Sequence, residues 1–307
     1  MKSLFPSAVA IALSTLVGCS STPGATDANG VGPDGKPKNA AEIAVKLVGG
    51  KVSTYVAMDR VRAHPVGPKI LGLPMVADML DGTGIDPLKD LNRVFVTGPA
   101  TNSPRLVTFA EHNLDAKAAH SALAAVVAKS DPPGQFIPTQ GFEEAKVTIK
   151  KRTGIVAMLP PHFLVVVPED LADHITDFEA SGGLADPAGP EAVRSTAFDP
   201  SQSVAGPGVP NIPQTISKGI FTVLLKADGG ADVDIVGDDT SADSAANDAK
   251  TVTDSFAAAT QRKVMGMNFR AFDPIKFKAE GTEVKGHLAL SKDDLERIIS
   301  IVTTFGT

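Results

Sequence analysis

Tryptophan is absent from the 307 residues, tyrosine occurs once, at Tyr55, and cysteine once, at Cys19. Phenylalanine supplies the other 14 aromatics, so the stacking platforms that nucleic-acid bases need are sparse. Cations are also in deficit: 29 Lys and Arg stand against 35 Asp and Glu, and the formal net charge of -6 repels phosphate backbones. Together these exclude nucleic acid as a partner. No G-x-S-x-G, S-x-x-K or His-x-x-x-His spacing occurs, and Cys19 is the only thiol. The signatures of nucleophilic hydrolysis and of a helical zinc pair are therefore missing. The chain reads as non-enzymatic, with no catalytic residue, no cofactor and no metal site. What it has is bulk: 43% hydrophobic and 21% charged residues over this length can bury one large core or two small ones.

Lys2 precedes an apolar stretch from Leu4 to Gly18, of signal-peptide length and too short to span a bilayer as a helix. It ends in Leu16-Val17-Gly18-Cys19. The small Gly18 lets an enzyme approach the backbone, and the thiol is the best soft nucleophile in the chain. These four residues resemble the lipobox of bacterial lipoproteins. The resemblance implies cleavage after Gly18, diacylglycerol on the Cys19 thiol and an acyl group such as palmitate on the new amino terminus. With the thiol lipidated, no disulfide forms. Ser20 in place of Asp resembles the pattern that sends lipoproteins to the outer membrane, facing periplasm or exterior. The stretches "DRVRAHPVGPKI", "GIDPLKDLNRVFVTGP" and "DGGADVDIVG" are similar to a group of predicted myxobacterial lipoproteins, which brings no established activity.

Residues 20 to 40 are small, polar and rich in Gly and Pro, the composition of a leash averaging about 25 Å end to end. "GVGPDG", from Gly30 to Gly35, matches the dinucleotide fingerprint only in letters, because no strand precedes it and no helix follows.

From Ala41 the pattern changes to short strands and amphipathic helices, which predicts an α+β fold of mainly antiparallel sheet with helices packed on one face. A strand is expected near 53 to 61, and a Pro-interrupted helix from about Pro68 to Leu80. "RVFVTG" and "RLVTFAEH" make a hairpin. A helix from Asp115 to Lys129 carries Ala119, Leu123, Val126 and Val127 on one face. Three strands follow, the last being the wholly apolar "HFLVVV", and Pro168 opens a helix that buries Leu171, Ile175 and Phe178. Six prolines between Ala185 and Thr215 argue against a long helix or a central strand there, making it the expected boundary.

Beyond it come a hairpin around Asp228-Gly229-Gly230, a helix from about Ser241 to Thr260, and a second hairpin across Gly281-Thr282. A final helix has the capping box Ser291 and Asp294. Both halves run hairpin, helix, hairpin, helix, which predicts two similar ββαββα lobes, or one sheet shared by both. The expected organisation is signal peptide 1–18, lipidated Cys19 and linker 19–40, N-terminal lobe 41–184, linker 185–215, and C-terminal lobe 216–307.

Asp228, Asp232, Asp234, Asp238 and Asp239 form the sharpest acidic series, but their spacing is not that of a calcium loop. Asp232 and Asp234 alternate with Val233 and Ile235, as solvent-facing residues of a strand do, with Lys276 and Lys278 expected nearby. The six histidines, His64, His112, His120, His162, His174 and His287, are scattered, and Glu111-His112 is the one base-and-orienter candidate. The reading is an outer-membrane-tethered lipoprotein acting as an envelope interaction or structural module, its membrane contact made through Cys19 and its partner an unidentified envelope protein. The alternative is a carrier of lipid or a small apolar ligand.

Overall fold

The computed structural model describes residues 39–71, 83–149, 151–186, 189–204, 209–264, 267–270 and 273–305. The chain enters through helix α1 (Ala40–Val48), which Asn39 caps by accepting from the Ala41 amide at 2.8 Å and Gly49 ends at φ 61°. Strand β1 (Val52–Ala57) follows. The strand expected to 61 stops at Ala57, because Met58 and Val61 fit the helical i, i+3 spacing and turn inward on helix α2 (Met58–Ala63). Helices α3 (Gly67–Leu71) and α4 (Pro87–Asp90) come next, and most of the expected 68–80 helix lies outside the described residues.

Strands β2 (Leu91–Gly98) and β3 (Val107–His112) form the first hairpin. Helix α5 (Ala116–Lys129) starts where the Asp115 carboxylate accepts from the Ala118 amide at 2.7 Å. A short strand β4 (Gln135–Ile137), not expected from the sequence, precedes β5 (Glu143–Ile149), β6 (Arg152–Leu159) and β7 (Phe163–Pro168). After β7 the chain makes a 3-10 turn (Glu169–His174) and helix α6 (Ile175–Glu179), with Leu171, Ile175 and Phe178 buried as the pattern required.

The proline-rich stretch then departs from expectation. It holds strand β8 (Val193–Phe198) in the interior of the sheet and a short helix α7 (Pro200–Ser203). Its prolines flank the strand, so no proline interrupts the ladder bonds to β1 on one side and to β9 (Ile216–Leu225) on the other. Next come β10 (Ala231–Asp239), helix α8 (Ala242–Thr260), a small separate hairpin of β11 (Gln261–Val264) and β12 (Met267–Arg270), strands β13 (Lys276–Glu280) and β14 (Glu283–Leu290), and helix α9 (Lys292–Phe305). Gly281 turns the last hairpin at φ 63°, and Ser291 and Asp294 make the reciprocal capping bonds.

All strands except β11 and β12 join one 12-stranded antiparallel sheet in the order β13-β14-β10-β9-β8-β1-β2-β3-β7-β6-β5-β4. The two halves thus share one sheet, joined where β8 pairs β1. From β1 outward the strands run β1-β2-β3-β7-β6, and from β8 outward β8-β9-β10-β14-β13.

Helices cover both faces over the N-terminal half, which corrects the expectation of a single covered face. On the first face, α5 packs Ala119, Ala122 and Leu123 on Ala145, Val147, Val156 and Met158, while Met58 of α2 packs on Leu91 and Ala110. On the second face, α1, the 3-10 turn and α6 bury Phe95, Phe109, Val165 and Val167, with the Phe109 and Phe163 rings 4.9 Å apart. The reason lies in β7, apolar throughout, and in the unbroken apolar run Ile155–Leu159 of β6, which require cover on both sides.

In the C-terminal half both long helices lie on the first face. Helix α8 packs Ala245, Ala249 and Val252 against Phe277 and Val284, and α9 packs Ile298 against Val233 and Leu290. Phe277 lies over its cross-strand partner Gly286, where an added Cβ would stand 2.6 Å from the ring. Among the described residues no helix packs on the second face of β9, β10 and β14.

Candidate functional site

Cys19 and the leash up to Lys38 lie outside the described residues, as does any cleavage site before them; the last two residues assigned to the leash, Asn39 and Ala40, instead cap and open α1. Among the described residues no helix is long and apolar enough to cross a membrane.

The acidic series does not converge. Asp228 accepts from the Gly230 amide at 2.8 Å and shapes the β9–β10 turn. Asp232 pairs with Lys226 at 2.9 Å, and Asp234 with His287 Nδ1 at 2.7 Å, directly across the β10–β14 ladder. Both project from the second face, as their alternation predicted, but their partners are Lys226 and His287 and not Lys276 or Lys278. Asp238 stands 3.9 Å from Lys218. Asp239 departs from the series because it follows Asp238 directly along the strand and so faces the opposite side, where it is buried at the strand end. Among the described residues no group of three or more His, Cys, Asp or Glu side chains could hold a metal ion.

The histidines are equally dispersed. His120 pairs with Glu143 and stacks on Phe136, and His174 pairs with Asp177. His64 is buried, accepting from the Val66 amide and reaching the Gly230 carbonyl at 3.1 Å. His112 is also buried; its Nδ1 accepts from the Leu114 amide at 3.2 Å and its Nε2 has no partner. Burial first, then the neighbouring His162, hold its pKa down to about 4. Glu111 cannot orient it, because adjacent strand residues point to opposite faces. Glu111 instead accepts from the Leu184 amide at 2.7 Å and forms an ion pair with Arg93 at 3.4 Å.

Two features remain that sequence reasoning missed. The first is a polar seam where β8 meets β1 and β2. Arg93 donates to the Leu184 carbonyl at 2.6 Å and pairs with Asp186 at 2.6 Å. Arg60 donates to the carbonyls of Gly189 and Glu191, and Arg194 pairs with the buried Glu191 at 3.0 Å. The Tyr55 hydroxyl is buried there without a partner, and burial pushes its pKa up to about 12, with the nearby charges making smaller, partly opposed contributions. These arginines clamp the segment between α6 and β8 onto the sheet; their extended donors satisfy carbonyls that would otherwise be orphaned. Nothing in the linear spacing of residues 55, 60, 93 and 194 announced the seam.

The second feature is the helix-free second face. Ladder pairing aligns Arg194, Thr222, Asp234, His287 and Lys276 in one row across five strands, and Thr196, Ile220, Val236, Lys285 and Lys278 in the next. Ile220, Leu224 and Val236 are half-buried, and the charges around them are mostly paired, Lys285 with Glu280 at 2.9 Å and Glu283 at 2.7 Å. Phe198, at the end of β8 on the same face, is 41% exposed. The period-2 alternation could have located this face, since β9 is apolar on both sides while β10 is acidic on one. Chemically it offers the half-buried Ile220, Leu224 and Val236 among mostly paired charges.

Comparison with family models, with curated proteins and with solved structures finds no match to this chain.

Proposed function

We propose that this chain is a lipoprotein, held at the outer membrane through a lipidated Cys19, whose C-terminal half contacts another envelope protein through the second face of β9, β10 and β14, without catalysing a reaction. The observation that carries this reading is the asymmetry of cover. We infer that the two halves repeat one plan, three meandering strands, a helix, and a hairpin whose last strand returns beside the third, because β1-β2-β3-β7-β6 and β8-β9-β10-β14-β13 follow the same order. In the first copy α1 and α6 close the second face; in the second copy α9 goes to the first face, leaving Ile220, Leu224 and Val236 without a helical cover. A partner supplies that cover.

A photo-crosslinking residue placed at Leu224 or Val236 in the native envelope tests the contact. The expected result is a discrete adduct that Cys19→Ser abolishes by releasing the chain from the membrane. Adducts no stronger than from exposed Lys117 on α5 would contradict it.

A further inference from the structure

Asp239 ends β10 and is 8% exposed. Its Oδ1 is crowded with donors: the Thr240 amide at 2.6 Å, the Ser244 hydroxyl, and the Ser241 amide at 3.5 Å. Its Oδ2 is buried and receives no donor from any ordinary N–H or O–H group. The carboxyl of Asp248, one turn beyond Ser244 on α8, meets the Asp239 carboxyl and itself accepts from the Thr215 hydroxyl just before β9. Two carboxylates in contact repel each other, and a buried orphan oxygen is costly. One proton on Asp248 removes both penalties, because the carboxylic acid donates to Asp239 Oδ2 while Thr215 donates to its other oxygen.

We propose that Asp239 and Asp248 share one proton, and that this proton fastens helix α8 to the ends of β9 and β10 as a pH-dependent clasp. The groups acting on the pair from each neighbouring element are Thr215 before β9, Thr240 and Ser241 after β10, and Ser244 on α8; the Thr282 carbonyl of the last hairpin holds the Asp239 amide at 2.8 Å. No cation is among them. Of the charged groups on these elements, Lys218 stands by Asp238, Glu283 of β14 is the ladder partner of Asp238 and pairs with Lys285, and Asp243 and Lys250 are exposed. Consistently, burial lifts Asp248 above the usual carboxylate range, with Asp239 adding to the rise and Thr215 opposing it. Burial would raise Asp239 too, but the bonds from Ser244, Asp248 and the two amides outweigh it and hold that carboxyl below its usual range. The pair titrates as one unit, holding a single proton between those limits.

A folded-state pKa raised above the unfolded value, as for Asp248, gives stability that is complete below the unfolded pKa and lost as pH rises through the folded one. Asp248→Asn replaces the acid with an amide that donates to Asp239 Oδ2 without titrating. The melting temperatures of the wild-type chain and of Asp248→Asn, followed between about pH 4 and pH 9, should diverge as pH rises, the wild type losing Tm relative to the variant. Parallel curves would overturn the proposal. A second measurement needs no variant: in the ¹³C-labelled native chain the Asp248 carboxyl carbon should titrate above the ordinary aspartate range and Asp239 below it. Both titrating within that range would overturn the proposal.

Discussion

His64 Nε2 lies 3.1 Å from the carbonyl oxygen of Gly230, a contact between residues 166 apart in the chain. Because the Val66 amide donates to Nδ1, the proton sits on Nε2 and is donated to Gly230. The loop after α2 is thereby tied to the turn between β9 and β10. Lys69 and Glu296, 2.7 Å apart, add a weaker exposed tie between the same halves.

Replacing His64 by Ala should lower stability by about 1–3 kcal/mol, since a buried bond and its packing are lost. Urea unfolding checks this through the midpoint. An unchanged midpoint would mean the tie contributes nothing.

Ser195 in β8 gives two opposite expectations at one position. Its hydroxyl is buried without a partner, so Ser195→Ala should be neutral or stabilising. Ser195→Pro removes a backbone donor from a strand bonded on both sides and should cost about 3 kcal/mol or more. Thermal unfolding of the two variants beside the wild type distinguishes them, and a strongly destabilised alanine variant would show that the hydroxyl has an essential bond.

Acid should act through His112. Its folded pKa, held to about 4, lies below the unfolded value near 6.5, so the unfolded chain takes up the proton first as pH falls. Stability should therefore drop between about pH 6.5 and 4, by up to about 3 kcal/mol. In His112→Leu that part of the pH dependence should vanish. Identical slopes in both proteins would show that His112 is not held neutral.

The helices were legible because their signals are local. Ala119 and Leu123 on α5, and Leu171, Ile175 and Phe178 after Pro168, lie at helical spacing and are buried where that spacing puts them. The capping box at Ser291 and the Gly281 turn were equally local. Strand β8 is hard to read because six prolines lie within 185–215 and mask the segment between two of them. Between Pro190 and Pro200 lie nine proline-free residues that include Val193, Thr196 and Phe198, enough for a strand. The need for cover on both faces is visible in the unbroken apolarity of β7 and of Ile155–Leu159 in β6, whereas β3 with Thr108, Glu111 and His112 does not announce it. For the site, alternation placed Asp232 and Asp234 on the outer face and sets Asp239 on the opposite one, while its meeting with Asp248 has no signature in the sequence, because it depends on how α8 docks on the sheet.

Those outer carboxylates should be nearly dispensable for folding. Asp234 and His287 are each more than half exposed, and surface pairs of that kind contribute little. Replacing Asp232 and Asp234 together by Asn should change stability by within about 0.5 kcal/mol. Millimolar Ca²⁺ should not raise the melting temperature of either protein over chelator. A rise confined to the unmodified chain would establish a cation site on this face.

The account rests most heavily on the tether, and the mass of the amino-terminal peptide from chain extracted out of its own membrane tests it directly. The expected peptide begins at Cys19 and carries diacylglycerol on the thiol with an added acyl chain on the amine. A peptide that begins elsewhere, or one with an unmodified Cys19 thiol, would contradict the anchor and with it the envelope role proposed for the open face.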